Sequence, residues 1–304
     1  MHKNYRITAG RLVQVQDDPA HISVFVSPDE EEKKYLVTEL KIDEHTLSSA
    51  LDPDELSRLE FEPEHMAVIF KRPKSYLGGP HFELGIGSTG AFLFKKQLVI
   101  VLSEDVPILD HLMNTRVTSI ANIFLRMIYR AIFHYLEHLK VINKISDELQ
   151  DKINSSMENK YLINLFELQK SMVYYLSSIN GNTALIEKMK HNVAKTDFTQ
   201  EDVEFLDDIY VENNQCYKQA EMLSNILSSL MDARASIVSN NLNILMKMLN
   251  LITIGIMVPT LVVSAFSMNV KIPIQDHPYA FWIIIGLAAT SVAGLVVYLR
   301  IKKW

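Results

Sequence analysis

Asn243, Met246, Leu249, Thr253, Met257, Thr260, Ser264 and Ser267 follow one another at steps of 3, 3, 4, 4, 3, 4 and 3 residues, which sets them on one stripe of a helix. The stripe carries hydroxyls, an amide and flexible thioethers, while Ile252, Ile256, Val263 and Phe266 fall on other faces. Polar side chains of this kind inside an apolar segment face a bundle interior or a water-filled path. The plainer alternative is a helix–helix seam held by Ser and Thr hydrogen bonds. The stripe leads into the stretch SAFSMNVKIP, where the apolar run stops on Ser267, Met268 and Asn269 and ends in a bare amide.

Three other patterns suggest chemistry and are weaker. GIGSTG, Gly85 to Gly90, matches a phosphate-binding G-x-G-x-x-G, but that loop needs a helix to start at its end. AFLFKKQLVIVLS follows instead and reads as strand, turn, strand, so a glycine-rich hairpin is expected and no nucleotide partner. No Gly-Lys-Ser/Thr phosphate loop is present, so no ATP-driven engine is visible. HYLEH places His134 and His138 on one helix face, as an inverted zinc-protease motif would. It sits in a long amphipathic helix without a third-ligand signature, and solvated or interhelical histidines are expected. Cys216 lacks a marked base nearby and reads as a packing thiol; being the only cysteine, it allows no intrachain disulfide.

The elements that must position the stripe are two apolar windows. No charged residue lies between Lys247 and Lys271, or between His277 and Arg300. Each window exceeds the roughly 20 residues that a spanning helix needs. Tyr279 and Trp282 at one end of the second window, and Tyr298 and Trp304 at the other, resemble interfacial belts. Arg300, Lys302 and Lys303 form a basic tail that points inward by the positive-inside rule. Two spans then put both termini in the cytosol of a cell-membrane protein, which fits the lack of a signal-peptide core in MHKNYRITAGRLVQVQDD. A net charge of −6 without a basic stripe argues against nucleic acid as a partner.

The remaining chain reads as a large cytosolic part. Residues 1–105 are expected to form a mixed α/β domain. Strands are read at HISVFVS, MAVIF, AFLF and QLVIVLS, and helices at EEEKKYLVTEL and at PDELSRL after Asp52-Pro53. Residues 106–196 form a helical hairpin, its first helix opening at Asn114 and a polar break falling around Ser155–Asn159. Residues 197–246 form a stalk helix, capped by Thr199 with Asp202 in a variant capping box. The first span is 247–268, the outer loop 269–278, the second span 279–299 and the tail 300–304. Unbroken to Phe266, the stalk and first span would measure about 100 Å. Two spans cannot enclose a pore, so a lumen lined by the stripe requires a homo-oligomer with this helix innermost.

MKMLNLITIGIMVPTLVVSAFSMNVKIP, the short loop, the second span and RIKKW together resemble the CorA family of divalent-cation channels. HTLSSALDPDELSRLEFEPEHMAVIFKRP resembles that family's cytosolic α/β domain, and FLDDIY with SSLMDARASIVSNNLNILMKML its stalk helix. The resemblance covers essentially the whole chain. It implies an α+β cytosolic domain plus a long helical stalk and two transmembrane helices, assembled as a homopentameric funnel in the lipid bilayer. It also implies passive transport of Mg²⁺, with Co²⁺ and Ni²⁺, and no enzyme activity or organic cofactor.

Ser267, Met268 and Asn269 match the family's Gly-Met-Asn signature with Ser in the first place, and Pro259 sits one place later than the family's proline. Mg²⁺ sheds water reluctantly, so a ring of neutral amide oxygens can dock the hydrated ion, and weak binding lets it leave. An inside-negative potential supplies about 4.6 kcal/mol per 100 mV for a divalent ion. The resemblance also implies an intersubunit regulatory Mg²⁺ site on the stalk. Asp208 aligns with it, Asp207 beside it and Asp232 nearer the membrane are further candidates, and Glu104 and Asp105 are candidate partners from the α/β domain. A Zn²⁺ or other transition-metal transporter of the same fold, and a non-conducting membrane-anchored sensor or scaffold, remain as alternatives.

Overall fold

A computed structural model of the chain describes residues 1–15, 20–74, 84–113, 115–155, 159–270, 272–274 and 276–302, with all their side chains except those of 153–155 and 159. It divides into two compact units, Met1–Met231 and Asp232–Trp304. The first unit begins with strands β1 (His2–Thr8), β2 (Arg11–Val15) and β3 (Ile22–Val26), then helices α1 (Glu30–Thr38) and α2 (Glu44–Leu51). Strands β4 (Arg58–Phe61), β5 (His65–Pro73), β6 (Ile86–Phe94) and β7 (Leu98–Leu102) follow. Helices α3 (Asp110–Met113), α4 (Ile120–Ser155) and α5 (Asn159–His191) lead to α6 (Gln200–Phe266). The latter part of α6 and helix α7 (Ala280–Ile301) belong to the second unit.

The seven strands form one sheet in the order β2-β1-β3-β7-β6-β5-β4. Among the described residues only β3 and β7 pair in parallel; the other neighbours are antiparallel. Alternate residues of the central strands serve two cores. Ala67, Ile69, Val99 and Val101 pack with Leu36 of α1 and with Leu47 and Ala50 of α2. Met66, Val68, Leu98, Ile100 and Leu102 join the core built from α4, α5 and α6. A sheet covered on both faces explains why MAVIF and LVIVL read as continuous apolar runs. On α6 the residues Leu206, Ile209, Asn213, Cys216, Ala220, Leu223 and Leu227 are buried at steps of 3 and 4, a heptad-like seam against this core.

Local chemistry starts α1 and α6 where the sequence places them. Asp29 and Glu32 form a reciprocal capping box on α1. Thr199 and Asp202 do the same for α6, with the Asp202 amide donating to Thr199 Oγ1 at 3.2 Å and the Thr199 amide to Asp202 Oδ2 at 3.0 Å. The polar break read around Ser155–Asn159 centres on residues 156–158, which lie outside the described ones.

Three expectations are corrected. PDELSRL is not a helix. The helix is α2, upstream, started by Asp43 accepting from the Thr46 amide. Asp52 then holds the Asp54 amide at 2.8 Å, and Lys71 and Ser88 donate to the Pro53 and Asp52 carbonyls, so Pro53 opens a braced turn into β4. GIGSTG is no phosphate loop, and the expected strand–turn–strand hairpin is present as β6 and β7, but from Ile86 onward the motif lies in strand β6, in register with β5, and not in the hairpin's turn. A Cβ at Gly90 would meet the Ala50 Cβ at 2.5 Å, so this glycine lets α2 lie close on the sheet. The first long helix does not open at Asn114, which lies outside the described residues. It opens at Ile120, where Ser119 Oγ accepts from the Asn122 amide at 2.9 Å.

Candidate functional site

The stripe lies on the part of α6 within the second unit. α6 and α7 are both long and apolar enough to span a membrane. Within the chain, none of the most apolar window of α6 and 6% of that of α7 is buried. Helices of a soluble core would be covered by protein, so these two require an apolar surrounding from outside the chain.

The face of α6 toward α7 can be read from burial. Leu251, Gly255, Val258, Val262 and Phe266 are half-buried and recur at steps of 4, 3, 4 and 4. Val262 and Phe266 line a groove with Leu287, Thr290 and Ser291 of α7. Thr253, Met257, Thr260 and Ser264 are offset from that row by two residues, roughly 200° around the helix, and they are exposed. Asn243, Met246 and Leu249 continue the exposed row toward the start of the unit. The polar stripe therefore faces away from the chain's own second apolar helix.

Hydrogen bonding sets what the stripe offers. Thr253 Oγ1 donates to the Leu249 carbonyl at 2.9 Å and Thr260 Oγ1 to the Ile256 carbonyl at 2.6 Å. Ser267 Oγ donates to the Ser264 carbonyl at 2.9 Å, beside the Ser267 amide, which donates to the same oxygen at 3.1 Å. With their protons turned onto their own helix, these hydroxyls leave oxygen lone pairs outward, a surface suited to cations and to the waters around them. α6 ends at Phe266, and Ser267, Met268 and Asn269 are exposed in the turn that follows. The turn into α7 is shaped by Ile274 at φ 87°, by Ala280 donating to the His277 carbonyl at 3.0 Å and by the Tyr279 amide on His277 Nδ1 at 3.2 Å.

The acidic candidates are placed separately. Asp207 is paired with Lys190 of α5 at 2.9 Å. Asp208 is exposed and one turn before Glu212; burial first, then these two carboxylates, raise the pKa of Tyr129. Asp232 is exposed and opens the second unit. Glu104 accepts from Arg72 at 2.9 Å and lies 3.4 Å from Lys74, while Asp105 pairs with Lys3 at 2.7 Å. These in-chain cations, invisible to a linear reading, already neutralise both partner candidates. Among the described residues no three His, Cys, Asp or Glu side chains of one chain converge as a metal site. In the basic tail Arg300 ends the last turn of α7 and Lys302 is its C-cap, while Lys303 lies outside the described residues.

The His134–His138 pair is interhelical. The rings are 4.6 Å apart, and His138 Nδ1 shares a 2.7 Å hydrogen bond with the Tyr175 hydroxyl of α5. Burial, then His134 beside it, lowers the His138 pKa from 6.5 to about 4. The folded state thus keeps this imidazole neutral while the unfolded chain protonates it first, so stability drains as pH falls from about 6.5 to about 4. The loss is at most about 3 kcal/mol. His138→Gln is expected to flatten this part of the thermal-stability profile of the detergent-purified protein; parallel profiles for variant and parent would contradict the assignment. Cys216 is fully buried and its thiol is pushed up to about 12 by burial, with Glu212 adding to it, as a packing thiol requires.

Comparison with known proteins agrees with this arrangement. The cobalt/magnesium transport protein CorA of Methanocaldococcus jannaschii is 24% identical over 291 residues, covering 91% of this chain and 89% of that protein. The complete structure of the CorA magnesium transporter from the same organism superposes with a TM-score of 0.82 at 20% identity, covering 98% of this chain and 96% of that one. The ZntB cytoplasmic domain from Vibrio parahaemolyticus shares the fold of the first part, with a TM-score of 0.62 at 10% identity over 78% of this chain and 98% of that one. The description CorA-like Mg²⁺ transporter protein fits residues 23–303, a family of ion transporters and not of enzymes. With its mixed sheet, long helices and two apolar helices, the chain belongs to the CorA-like Mg²⁺ transporter family.

Proposed function

We propose that the chain assembles as a homopentamer in which the stripe of α6 lines an axial path for hydrated divalent cations, Mg²⁺ first and Co²⁺ and Ni²⁺ with it. The observation that carries this reading is the orientation of the stripe: it faces away from α7 and presents oxygen lone pairs whose protons are engaged on the helix. A seam with α7 does not account for it, since α7 meets the other side. Asn269 would dock the ion with its water shell at the entrance, with Ser267 and Met268 shaping the turn that carries it. Met246, Leu249 and Met257 would form apolar rings able to close the path by excluding water. Both termini lie in the cytosol and the membrane potential drives entry. Mg²⁺ on the inner side, held by Asp208 at a contact between copies, favours the closed state, because a ligand favours the state it binds better.

A Zn²⁺ pathway is the second reading, favoured by the Ser267 variant of the signature and by the likeness to the ZntB domain. Uptake by proteoliposomes offered Mg²⁺, Co²⁺, Ni²⁺ and Zn²⁺ in turn separates the two. Mg²⁺ entry supports the first reading, Zn²⁺ entry without Mg²⁺ the second, and no entry of any ion would leave a membrane-anchored scaffold. Mass measurement of the detergent-solubilised protein is expected to give five chains; a stable monomer or dimer would remove the pore.

Ser267→Gly is expected to conserve transport. The Asn269 amide is the docking group, and the backbone of the turn that carries it is common to Ser and Gly; the Ser267 hydroxyl, engaged on the Ser264 carbonyl, adds one outward lone pair that this docking does not need. A change of more than about tenfold in the Co²⁺/Mg²⁺ preference, about 1.4 kcal/mol, would show that the hydroxyl oxygen contacts the ion's water shell.

A further inference from the structure

The first unit contains a cavity that the transport reading does not use. The turn after α2, strand β5, the start of β6 and the middle of α5 enclose about 520 Å³, a size that holds a small organic molecule. Lys71 of β5 forms part of its wall and is 4% exposed. Its ammonium donates to the Pro53 carbonyl at 2.8 Å and to Ser88 Oγ at 2.7 Å, both neutral oxygens. An ammonium has three N–H donors, so among the described residues one is left over. Burial lowers the pKa of this lysine, and Asp52, Glu55 and Asp54 oppose that only as nearby charges, without an ion pair among the described residues. A buried cation matched only by neutral oxygens is costly unless an anion joins it.

The walls are firmly built. Asn182 of α5 accepts from the Lys71 amide at 2.9 Å and from Ser57 Oγ at 2.8 Å, and donates to the Lys71 carbonyl at 2.8 Å. Gly181 lets this seam close, since a Cβ there would stand 3.1 Å from Ser57 Oγ. α5 contributes Glu167, Lys170, Ser171, Tyr174, Ser177 and Ser178 to the opposite wall, and the turn contributes Asp54 and Glu55. Two lysines, Lys71 and Lys170, and several hydroxyls thus share the cavity with the carboxylates of Asp54 and Glu55 on the turn and of Glu167 on α5.

We infer that this cavity binds a small organic oxyanion, a carboxylate or a phosphate ester, whose charged end pairs with Lys71 and whose polar body lies along the hydroxyl-bearing wall of α5. The carboxylates of Asp54, Glu55 and Glu167 favour a ligand whose far end carries hydroxyl or ammonium donors. The competing role for Lys71 is a brace for the turn at Asp52–Pro53, which needs no ligand.

Full-length protein in detergent is titrated with succinate, with inorganic phosphate and with neutral succinamide, and its unfolding temperature is followed. At least one of the two anions is expected to raise it saturably by about 3 °C or more, as binding to the folded state requires, while succinamide does not. Lys71→Met is expected to weaken that binding at least tenfold. Because it also removes the brace, Ser177→Tyr is the second variant: it fills the cavity from the exposed side of α5, leaves Lys71 in place and is expected to abolish the shift. No saturable shift with either anion, an equal shift with succinamide, or a shift that survives both substitutions would overturn the inference.

Discussion

Asn269→Ala is expected to lower Mg²⁺ uptake by about a hundredfold or more, equivalent to about 2.7 kcal/mol on the barrier to entry. The size follows from what the amide supplies. Mg²⁺ holds its water shell tightly, so entry requires oxygens that replace bulk water around the hydrated ion without stripping it. Hydrogen bonds to charged partners contribute about 1.5–3 kcal/mol each, and in a ring each copy loses its share at once. Asn269 is exposed in the turn beyond α6 and belongs to no core, so its loss leaves folding and assembly intact. Parent and variant should therefore elute with the same mass while only the parent carries Mg²⁺. Unchanged uptake in the variant would move the entrance site elsewhere.

Asp208→Lys is the second large effect, acting on regulation and not on entry. Asp207 is engaged by Lys190 at 2.9 Å, whereas Asp208 is exposed on the neighbouring position of the same turn. Of the two, Asp208 is the carboxylate left to an external cation. A carboxylate facing another across a contact between copies repels it unless an ion lies between, and a fixed ammonium removes the need for that ion. The variant is expected to lose the dependence of uptake on internal Mg²⁺ and the Mg²⁺-dependent change in protease cleavage. If it still closes at the same internal Mg²⁺ as the parent, Asp208 is a solvated surface acid.

How far the sequence could be read depended on whether each signal was local. The capping pair Thr199 and Asp202 lies within one turn, and the structure has the expected bonds. The apolar windows are also local, and they appear as α7 and the end of α6. The stripe was legible because helix period alone fixes a face; its direction away from α7 was not, because that depends on Val262 and Phe266 meeting a distant helix. Asp52-Pro53 misled because the turn is decided by Lys71 and Ser88, strand residues far along the chain. The glycines of GIGSTG looked like loop residues because close packing against Ala50 leaves no mark in a linear pattern. The same holds for Glu104 and Asp105, whose cations Arg72 and Lys3 come from other strands.

The most direct test is Mg²⁺ flux driven by voltage alone. Proteoliposomes are prepared with equal Mg²⁺ on both sides, at a concentration too low to fill the inner regulatory site, and a K⁺ diffusion potential of about 100 mV, inside negative, is imposed. A potential of that size supports an accumulation of about two-thousandfold for a divalent ion. A passive divalent path predicts Mg²⁺ entry that stops when the potential is collapsed and reverses when its sign is reversed, without added nucleotide. Absence of Mg²⁺ movement under either sign of potential, from protein whose oligomer is intact, would contradict the proposed path.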